Sequence, residues 1–249
     1  MNRLLTFLSL ILMICAFTAC NENTNAEELE VELGYEYFPL EVGKYLVYEV
    51  DSVVYDIGAG IILKDSSKTY IKEEVTEEYL DDSGRVNHRI KRFKRNSLNE
   101  EWRVSDVWVA IRTERDAERL EENLRFVKMV FPVQEGIEWN GNAHIDETTI
   151  IPIAGESVEV FKNWAYEIMS VNEAETIGDF TFPRVATISQ ANSENLIEKR
   201  YSIEKYAAEV GLVYKEMRIL DTQIINEEFT FEEKAEKGFI LTQRLIEYN

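Results

Sequence analysis

The feature that most constrains this chain is a period of two in hydrophobicity, which runs through most of the sequence from Tyr35 onward. In residues 46–54, for example, Glu49 and Asp51 alternate with apolar neighbours. Such alternation places apolar side chains on one face of a β-strand and polar side chains on the other. The same period returns at residues 71–79, 158–168 and 239–248. The pattern predicts about ten to twelve antiparallel strands in a fold that is all-β or nearly so.

The segment at residues 114–123, ERDAERLEEN, is the main exception to this period. Its composition is that of a short helix, since Ala, Leu, Arg and Glu all favour helices. The same residues also suit the polar tip of a long hairpin that would join residues 107–113 to residues 124–131. Both interpretations stay open, so the predicted fold contains at most this one short helix.

Residues 1–20 have the layout of a secretory signal, in which basic Arg3 precedes an apolar stretch and then small residues. The apolar stretch, at residues 4–17, is shorter than the ~20 residues that cross a bilayer. An uncleaved membrane anchor is therefore the weaker alternative. The tetrapeptide FTAC that ends at Cys20 resembles the lipobox of bacterial lipoproteins, with Phe17 where Leu is more common.

The lipobox resemblance implies that signal peptidase II removes residues 1–19 and that the sulfur of Cys20 is lipidated. Residues 20–34 would then form a flexible acidic tether, and residues 35–249 would form the β domain. We expect a lipid-anchored protein of the cell envelope, at the outer membrane. The periplasmic and surface faces of that membrane both stay open.

Composition excludes several functional classes. Both cysteines, Cys15 and Cys20, lie in the targeting segment, so the mature chain offers no disulfide, thiolate metal site or cysteine nucleophile. The formal net charge of the whole chain is −20, and so acidic a protein lacks the basic surface that nucleic-acid binding requires. Solubility is the simpler explanation of this charge, and an acidic face for a partner is the alternative.

Candidate catalytic and metal-ligating residues are few. His88 and His144 are the two histidines of the sequence, and neither has the neighbours of an H-x-x-x-H or H-E-x-x-H zinc motif. Both are expected to be ordinary strand residues. The sequence has no nucleophile elbow, phosphate loop, dinucleotide fingerprint or EF-hand loop. We therefore expect no enzymatic activity, no metal and no cofactor.

A basic stretch at residues 85–95 resembles a nucleic-acid patch in composition, but an acidic stretch precedes it across a turn signal. A hairpin about that turn would place Glu73 near Arg92 and Glu74 near Lys91. Opposite charges that face each other across two strands contribute about 0.2–1 kcal/mol per pair. The stretch is therefore predicted to be neutralised within the sheet rather than to bind a ligand.

Residues 102–111 are apolar on both strand faces, with Trp102 and Trp108 on one face and Val107 on the other. A strand of this kind is either buried on both sides or lines a cavity. Core packing is the simpler explanation. If a ligand cavity is present, its candidate lining residues are Trp102, Trp108 and Trp164.

Three stretches together resemble an uncharacterised group of Bacteroidetes-type lipoproteins: residues 37–45 (YFPLEVGKY), 131–142 (FPVQEGIEWNGN) and 206–216 (YAAEVGLVYKE). In the third stretch, Glu209 stands where the group commonly has a glycine. The group is distantly similar to the half-barrels of lipoprotein carriers of the LolA/LolB type. This implies a curved antiparallel sheet, as a half-barrel or a sandwich. No catalytic residues are known for the group, so none is carried over.

The first two of these stretches share the pattern F-P-x-x-x-G, followed shortly by Tyr45 in one and Trp139 in the other. Proline favours an extended approach and glycine a turn, so each stretch predicts the entry into a strand. An internal duplication is the alternative.

Two functions of different class follow from these observations. In the first, the curved sheet binds an apolar or lipid-like ligand. In the second, the protein is a structural or interaction lipoprotein without a small-molecule ligand. A cavity lined by Trp102, Trp108 or Trp164 would favour the first, whereas a filled core with an exposed strand edge would favour the second.

Overall fold

The computed structural model describes residues 32–58, 61–226 and 228–249. The predicted signal, Cys20 and most of the predicted tether lie outside these residues. No helix of the described residues is long and apolar enough to cross a membrane. The elements are a 3-10 turn at Tyr35–Tyr37, the single-turn helix α1 (Phe231–Lys234), and the strands β1 (Tyr45–Gly58), β2 (Ile61–Leu80), β3 (Val86–Arg95), β4 (Arg103–Arg112), β5 (Asp116–Glu121), β6 (Leu124–Val130), β7 (Glu138–Trp139), β8 (Ile150–Ile153), β9 (Glu156–Glu159), β10 (Tyr166–Ile177), β11 (Phe180–Glu194), β12 (Glu198–Ala207), β13 (Gly211–Asp221) and β14 (Lys237–Tyr248).

Twelve of these strands form one antiparallel sheet, in the order β6-β5-β4-β3-β2-β1-β14-β13-β12-β11-β10-β7. The sheet nearly closes on itself, because the amide of Val127 in β6 donates to the carbonyl of Gly141, just beyond β7, at 2.8 Å. The indole Nε1 of Trp139 donates to the carbonyl of Val127, also at 2.8 Å. Strands β8 and β9 form a separate hairpin. The prediction of an all-β fold built on a curved antiparallel sheet is confirmed.

The predicted register of the β2–β3 hairpin is confirmed residue by residue. Glu73 lies opposite Arg92 and Glu74 lies opposite Lys91. The turn between the strands carries Gly84 at φ 76°, which a residue with a side chain adopts only at a cost. Register is fixed here because a slip of one residue would move every apolar side chain of the hairpin to the opposite face.

Residues 114–123 are neither a helix nor a simple hairpin tip. They contain strand β5, which pairs with β4 on one side and β6 on the other. The side chains of the alternate residues Ala117, Arg119 and Glu121 point to the concave side of the sheet. Two of these three residues are charged. The sequence of this segment therefore does not show the apolar residues at every second position that are typical of a strand, although its backbone forms one. Tertiary pairing overrides helix propensity here.

The main core lies on the concave side of the sheet. It receives buried side chains from strands across the sheet, among them Ile90 of β3, Tyr48 of β1 and Ile188 of β11. A second cluster packs the β8–β9 hairpin against Ile219 and its neighbours. A third lies beneath α1, around Phe231. The predicted strand entries follow both F-P-x-x-x-G stretches, since Tyr45 begins β1 and Trp139 lies in β7.

Candidate functional site

A line of alternating charges runs through the concave side of the sheet. It begins at Asp106 of β4, whose carboxylate lies 3.4 Å from Nη1 of Arg92. Arg92 Nε lies 3.0 Å from the carboxylate of Glu73, which also pairs with Nη2 of Arg119 at 2.8 Å. Arg119 Nε lies 3.5 Å from the carboxylate of Glu121. Four strands thus contribute to one continuous path.

The line continues from Glu121 to Lys128 Nζ, at 3.3 Å, and from there to Glu204, at 3.2 Å. It ends at Lys215 Nζ, 3.1 Å from Glu204. The hydroxyl of Tyr206 donates to the same carboxylate at 2.6 Å. We call the eight charged residues of this path the interior ion chain. Its four carboxylates and four cations make it neutral.

Burial alone would raise the pKa of the Glu204 carboxyl, but Lys128, Lys215 and the Tyr206 hydroxyl outweigh burial and hold that pKa well below its usual range. Burial would likewise lower the pKa of Lys128, and Glu121 and Glu204 raise it instead. Glu204 and Lys128 therefore both stay charged at neutral pH. Desolvation offsets much of the attraction within such a network, so its clearest physical role is to fix which strands meet.

An apolar cavity of about 60 Å³ opens to solvent near the start of the described chain. Its floor is buried and includes Glu73 and Arg119 of the interior ion chain, together with Tyr48 and Tyr206. Lys44 is half-buried and lies at the mouth of the cavity. Most of the remaining lining is apolar and comprises Phe38, Pro39, Leu40, Leu46, Val75, Ile90, Val210 and Leu212.

Backbone hydrogen bonds hold the two loops that form this cavity. The amide of Glu209, between β12 and β13, donates to the carbonyl of Glu36 at 2.8 Å. The amide of Gly43 donates to the carbonyl of Val75 at 2.8 Å, and the amide of Val75 returns a bond to the carbonyl of Lys44 at 2.9 Å. The mouth of the cavity is therefore built on fixed backbone rather than on side chains alone.

Gly211 keeps part of this cavity open. Its φ of 102° favours glycine, and a Cβ at this position would lie 3.6 Å from Pro39 Cδ and 3.7 Å from Leu46 Cδ1. The residue therefore serves both the turn and the free volume beside it. The sequence motif indicates the turn, but the packing of Pro39 and Leu46 beside it depends on the tertiary fold.

The structure brings together two of the three stretches that carry the family resemblance. Phe38, Pro39 and Leu40 come from residues 37–45, and Val210 and Leu212 come from residues 206–216. The sequence indicates turns and strand entries in these stretches and does not indicate a site there. Their shared content of apolar residues beside glycines was the available signal.

The three tryptophans lie apart from this cavity and do not share a site. Trp102 packs against the guanidinium of Arg95, with Cζ 4.1 Å from the ring centroid. The ring of Trp108 covers Arg92 of the interior ion chain, with Cζ of Arg92 3.6 Å from the ring centroid. Trp164 packs edge-on against Phe161, with the ring centroids 5.7 Å apart. The three side chains therefore cover charges and fill core at separate places.

The expectation that residues 102–111 are buried on both faces is wrong. Val104 is 55 % exposed and Val107 is 54 % exposed. The pairing of β3 with β4 shifts register between Arg92 and Phe93, where Asp106 and Val104 are the successive partners. This bulge interrupts the period of two on which the expectation depended.

The two histidines occupy different environments. His88 lies buried in β3, with Nε2 3.3 Å from the carboxylate of Glu78. Burial lowers the pKa of His88, although Glu78 opposes the shift. His144 is exposed in a turn. The prediction that it is a strand residue is therefore wrong. Over residues 32–58, 61–226 and 228–249, no group of three or more His, Cys, Asp or Glu residues could hold a metal ion.

The basic stretch of β3 is neutralised only in part. Arg92 pairs with Glu73, and Arg89 pairs with Glu77. Within the part of the chain that the structure describes, Lys91 and Lys94 form no ion pair. The Lys91 ammonium instead lies 5.3 Å from the ring centroid of Phe93.

The first part of β2 is an exposed strand edge. Residues 61–69 pair with β1, but β3 begins its pairing with β2 only at Tyr70, and no other described strand covers this edge. The edge carries Lys64 and Lys68, and Lys68 pairs with Glu49 at 2.9 Å. Lysine on an edge strand hinders pairing with a second sheet.

Comparisons with known proteins give two distant structural likenesses. No family model matches the chain, and no curated protein matches it. A Bacteroides fragilis protein described as exported, with a YMCC-like fold, is 12 % identical, has a TM-score of 0.40, and is matched over 85 % of this chain and 98 % of its own. A Parabacteroides distasonis protein described as a lipoprotein is 12 % identical, has a TM-score of 0.36, and is matched over 86 % and 98 %. Neither likeness is close enough to assign the chain to a family.

Proposed function

We propose that this chain is a lipid-anchored envelope protein that binds the end of an apolar chain in the cavity between Phe38 and Leu212. The observation that carries the proposal is the convergence of two motif-bearing stretches on one solvent-open apolar cavity. A concave apolar site with a few polar groups is the usual form of a small-molecule site.

The volume of the cavity limits what it receives. An apolar cavity of about 150 Å³ holds one benzene molecule, and this cavity of about 60 Å³ is smaller. It suits the last few carbons of an acyl chain, while the rest of such a ligand would lie across the mouth. The proposed site is thus smaller than the concave face of the sheet, where buried core side chains already occupy space.

The proposed activity is binding without catalysis. An interaction lipoprotein without a small-molecule ligand is the alternative, and the exposed edge at residues 61–69 is the observation that favours it.

Photo-cross-linking tests the binding proposal. The probe is a neutral octyl glucoside whose chain ends in a diazirine. It would be added to the full-length protein in phosphatidylcholine nanodiscs and activated by ultraviolet light. The adducts would then be mapped by peptide mass spectrometry. We expect adducts in residues 38–46 and 210–212. Val210→Phe fills the cavity and should reduce them at least about fivefold, by loss of apolar contact area. Leu212→Phe is a second filling variant.

Val104→Phe is the matched control, because Val104 is exposed on β4 outside the cavity lining. It should leave the adducts unchanged. Adducts spread evenly over the surface, or adducts that persist in both filling variants, would favour the interaction-lipoprotein alternative.

The proposed anchor has its own test. Several acyl chains, at ~0.8 kcal/mol for each buried CH₂, would hold the protein on the membrane permanently. Cys20→Ala should therefore abolish labelling by radioactive palmitate and release the protein from the membrane fraction. Equal labelling of the wild type and the variant would contradict lipidation at Cys20.

A further inference from the structure

The cavity is positively charged relative to the rest of the molecule. Its charged lining residues are Lys44, Glu73 and Arg119, which together carry a net charge of +1, whereas the whole chain carries −20. The charge of the cavity lining is therefore opposite in sign to that of the whole chain. Because field lines concentrate in such a concave, low-dielectric site, the local sign matters more than the net charge.

Lys44 is the more accessible of the two cations. Its Nζ donates to the carbonyl of Glu209 across the mouth. Among the described residues no carboxylate lies within ion-pair distance of this ammonium, although Glu41 and Glu209 are exposed on the same two loops. Two of the three ammonium hydrogens thus remain available to a ligand at the mouth.

Arg119 is the second cation of the lining, and it is buried. Its side chain is 8 % exposed, and its Nε makes no hydrogen bond within the described structure although it lies 3.5 Å from the Glu121 carboxylate. Its Nη2 is taken by Glu73 at 2.8 Å. The floor of the cavity therefore holds a buried guanidinium that is paired within the interior ion chain, which leaves Lys44 as the cation available to a ligand.

We infer that the occupant of this cavity is a single-chain amphiphile with an anionic headgroup, held at the mouth by Lys44. The inference rests on the proposed function, since it requires that the cavity receive an apolar chain. The acyl end enters between Phe38 and Leu212, and the headgroup oxygen accepts from the Lys44 ammonium. A fatty-acid carboxylate and a lipid phosphate share this chemistry.

Four eight-carbon probes separate the headgroup from the chain: octanoate, octyl phosphate, octylamine and neutral octyl glucoside. Binding to the full-length protein in phosphatidylcholine nanodiscs would be measured by calorimetry, with empty nanodiscs as the reference. We expect the two anionic probes to bind about three- to tenfold more tightly than octyl glucoside, and octylamine to bind most weakly. Tighter binding of octanoate than of octyl phosphate would assign the carboxylate, and the reverse order the phosphate.

Variants at Lys44 complete the test. Lys44→Gln should bring the affinity of both anionic probes down to that of octyl glucoside, and Lys44→Arg should retain the preference. Lys94→Gln is the matched control, because Lys94 is exposed on β3 and forms no ion pair in the described residues. Equal affinity for all four probes, or an anionic preference that survives Lys44→Gln, would overturn the inference and leave the proposed function standing. No binding of any probe would overturn both.

Discussion

At the scale of single residues, Glu209 is the place where the chain departs from the motif that its flanking residues resemble. The structure gives Glu209 a φ of 65°, in the left-handed region, and leaves its side chain exposed. A residue with a Cβ costs about 1–2 kcal/mol in this region, whereas glycine adopts it readily. The left-handed backbone at Glu209 is therefore the conformation that a glycine at this position of the motif would favour.

Glu209→Gly should stabilise the protein. Relief of backbone strain outweighs the greater freedom of glycine in the unfolded chain, so we expect a gain of about 0.5–1 kcal/mol in the free energy of unfolding by urea. Glu135→Gly is the matched control, since Glu135 is exposed in a turn beside Gly136 but is not at positive φ. The control should lose stability. A loss in both variants would show that Glu209 is not strained.

Glu204 should make the protein sensitive to acid. Its folded-state pKa lies well below the ordinary value of 4.5, so its contribution is complete above about pH 4.5 and is lost as the pH falls further. Each such group adds up to ~1.4 kcal/mol per pH unit to the slope of stability against pH. Glu204→Gln should lower stability at pH 7 by about 3–5 kcal/mol, because Lys128 loses a buried partner.

Chemical denaturation at several pH values checks this prediction. Between about pH 4.5 and pH 2.5, Glu204→Gln should show a slope shallower than that of the wild type by up to ~1.4 kcal/mol per pH unit. Glu147→Gln, an exposed turn variant, should stay within ~0.5 kcal/mol of the wild type at pH 7. If Glu204→Gln had the same acid slope as the wild type, Glu204 would not be a source of the acid sensitivity.

At the scale of elements, the β2–β3 hairpin and β5 show what the sequence can and cannot predict. The hairpin has an apolar face, a turn signal and complementary charges, and these three local features agree on one register. In β5, the inward positions include Arg119 and Glu121, whose partners Glu73 and Lys128 lie on other strands. No local pattern identifies those partners, so the segment resembles a helix until the sheet is assembled.

The edge of β2 supports a prediction about self-association. Lys64 and Lys68 place charge along the uncovered residues 61–69, where Ile61 is 65 % exposed. Replacing both lysines by valine should favour edge-to-edge pairing between molecules. In analytical ultracentrifugation under one detergent condition, we expect the double variant to sediment as a larger species than the wild type.

The paired strand β3 provides the control for the edge. Lys91→Val combined with Lys94→Val adds similar apolar area to a strand that β2 and β4 cover on both sides. That double variant should sediment like the wild type. If both double variants associated equally, general hydrophobicity rather than the free edge would be the cause.

At the scale of the whole molecule, curvature decides which residues meet. The cavity joins Phe38, which precedes β1, to Leu212 in β13, and the two come together because β14 lies between β1 and β13. The sequence predicts the strands and several turns but not their order in the sheet. It therefore predicts the class of the fold and the Glu73–Arg92 pair, but it misses the cavity and the rest of the interior ion chain, whose members are scattered from residue 73 to residue 215.

Methyl NMR with octyl glucoside tests most directly whether the cavity receives the end of an apolar chain. The full-length protein, with ¹³C-labelled leucine and valine methyls, would be titrated in nanodiscs below the micelle-forming concentration of the probe. We expect saturable shifts at the methyls of Leu40, Leu46 and Leu212, which line the cavity, and none at Val104 and Val107, which face solvent. Shifts at the exposed valines with unchanged cavity methyls would contradict the claim that this cavity receives the end of an apolar chain.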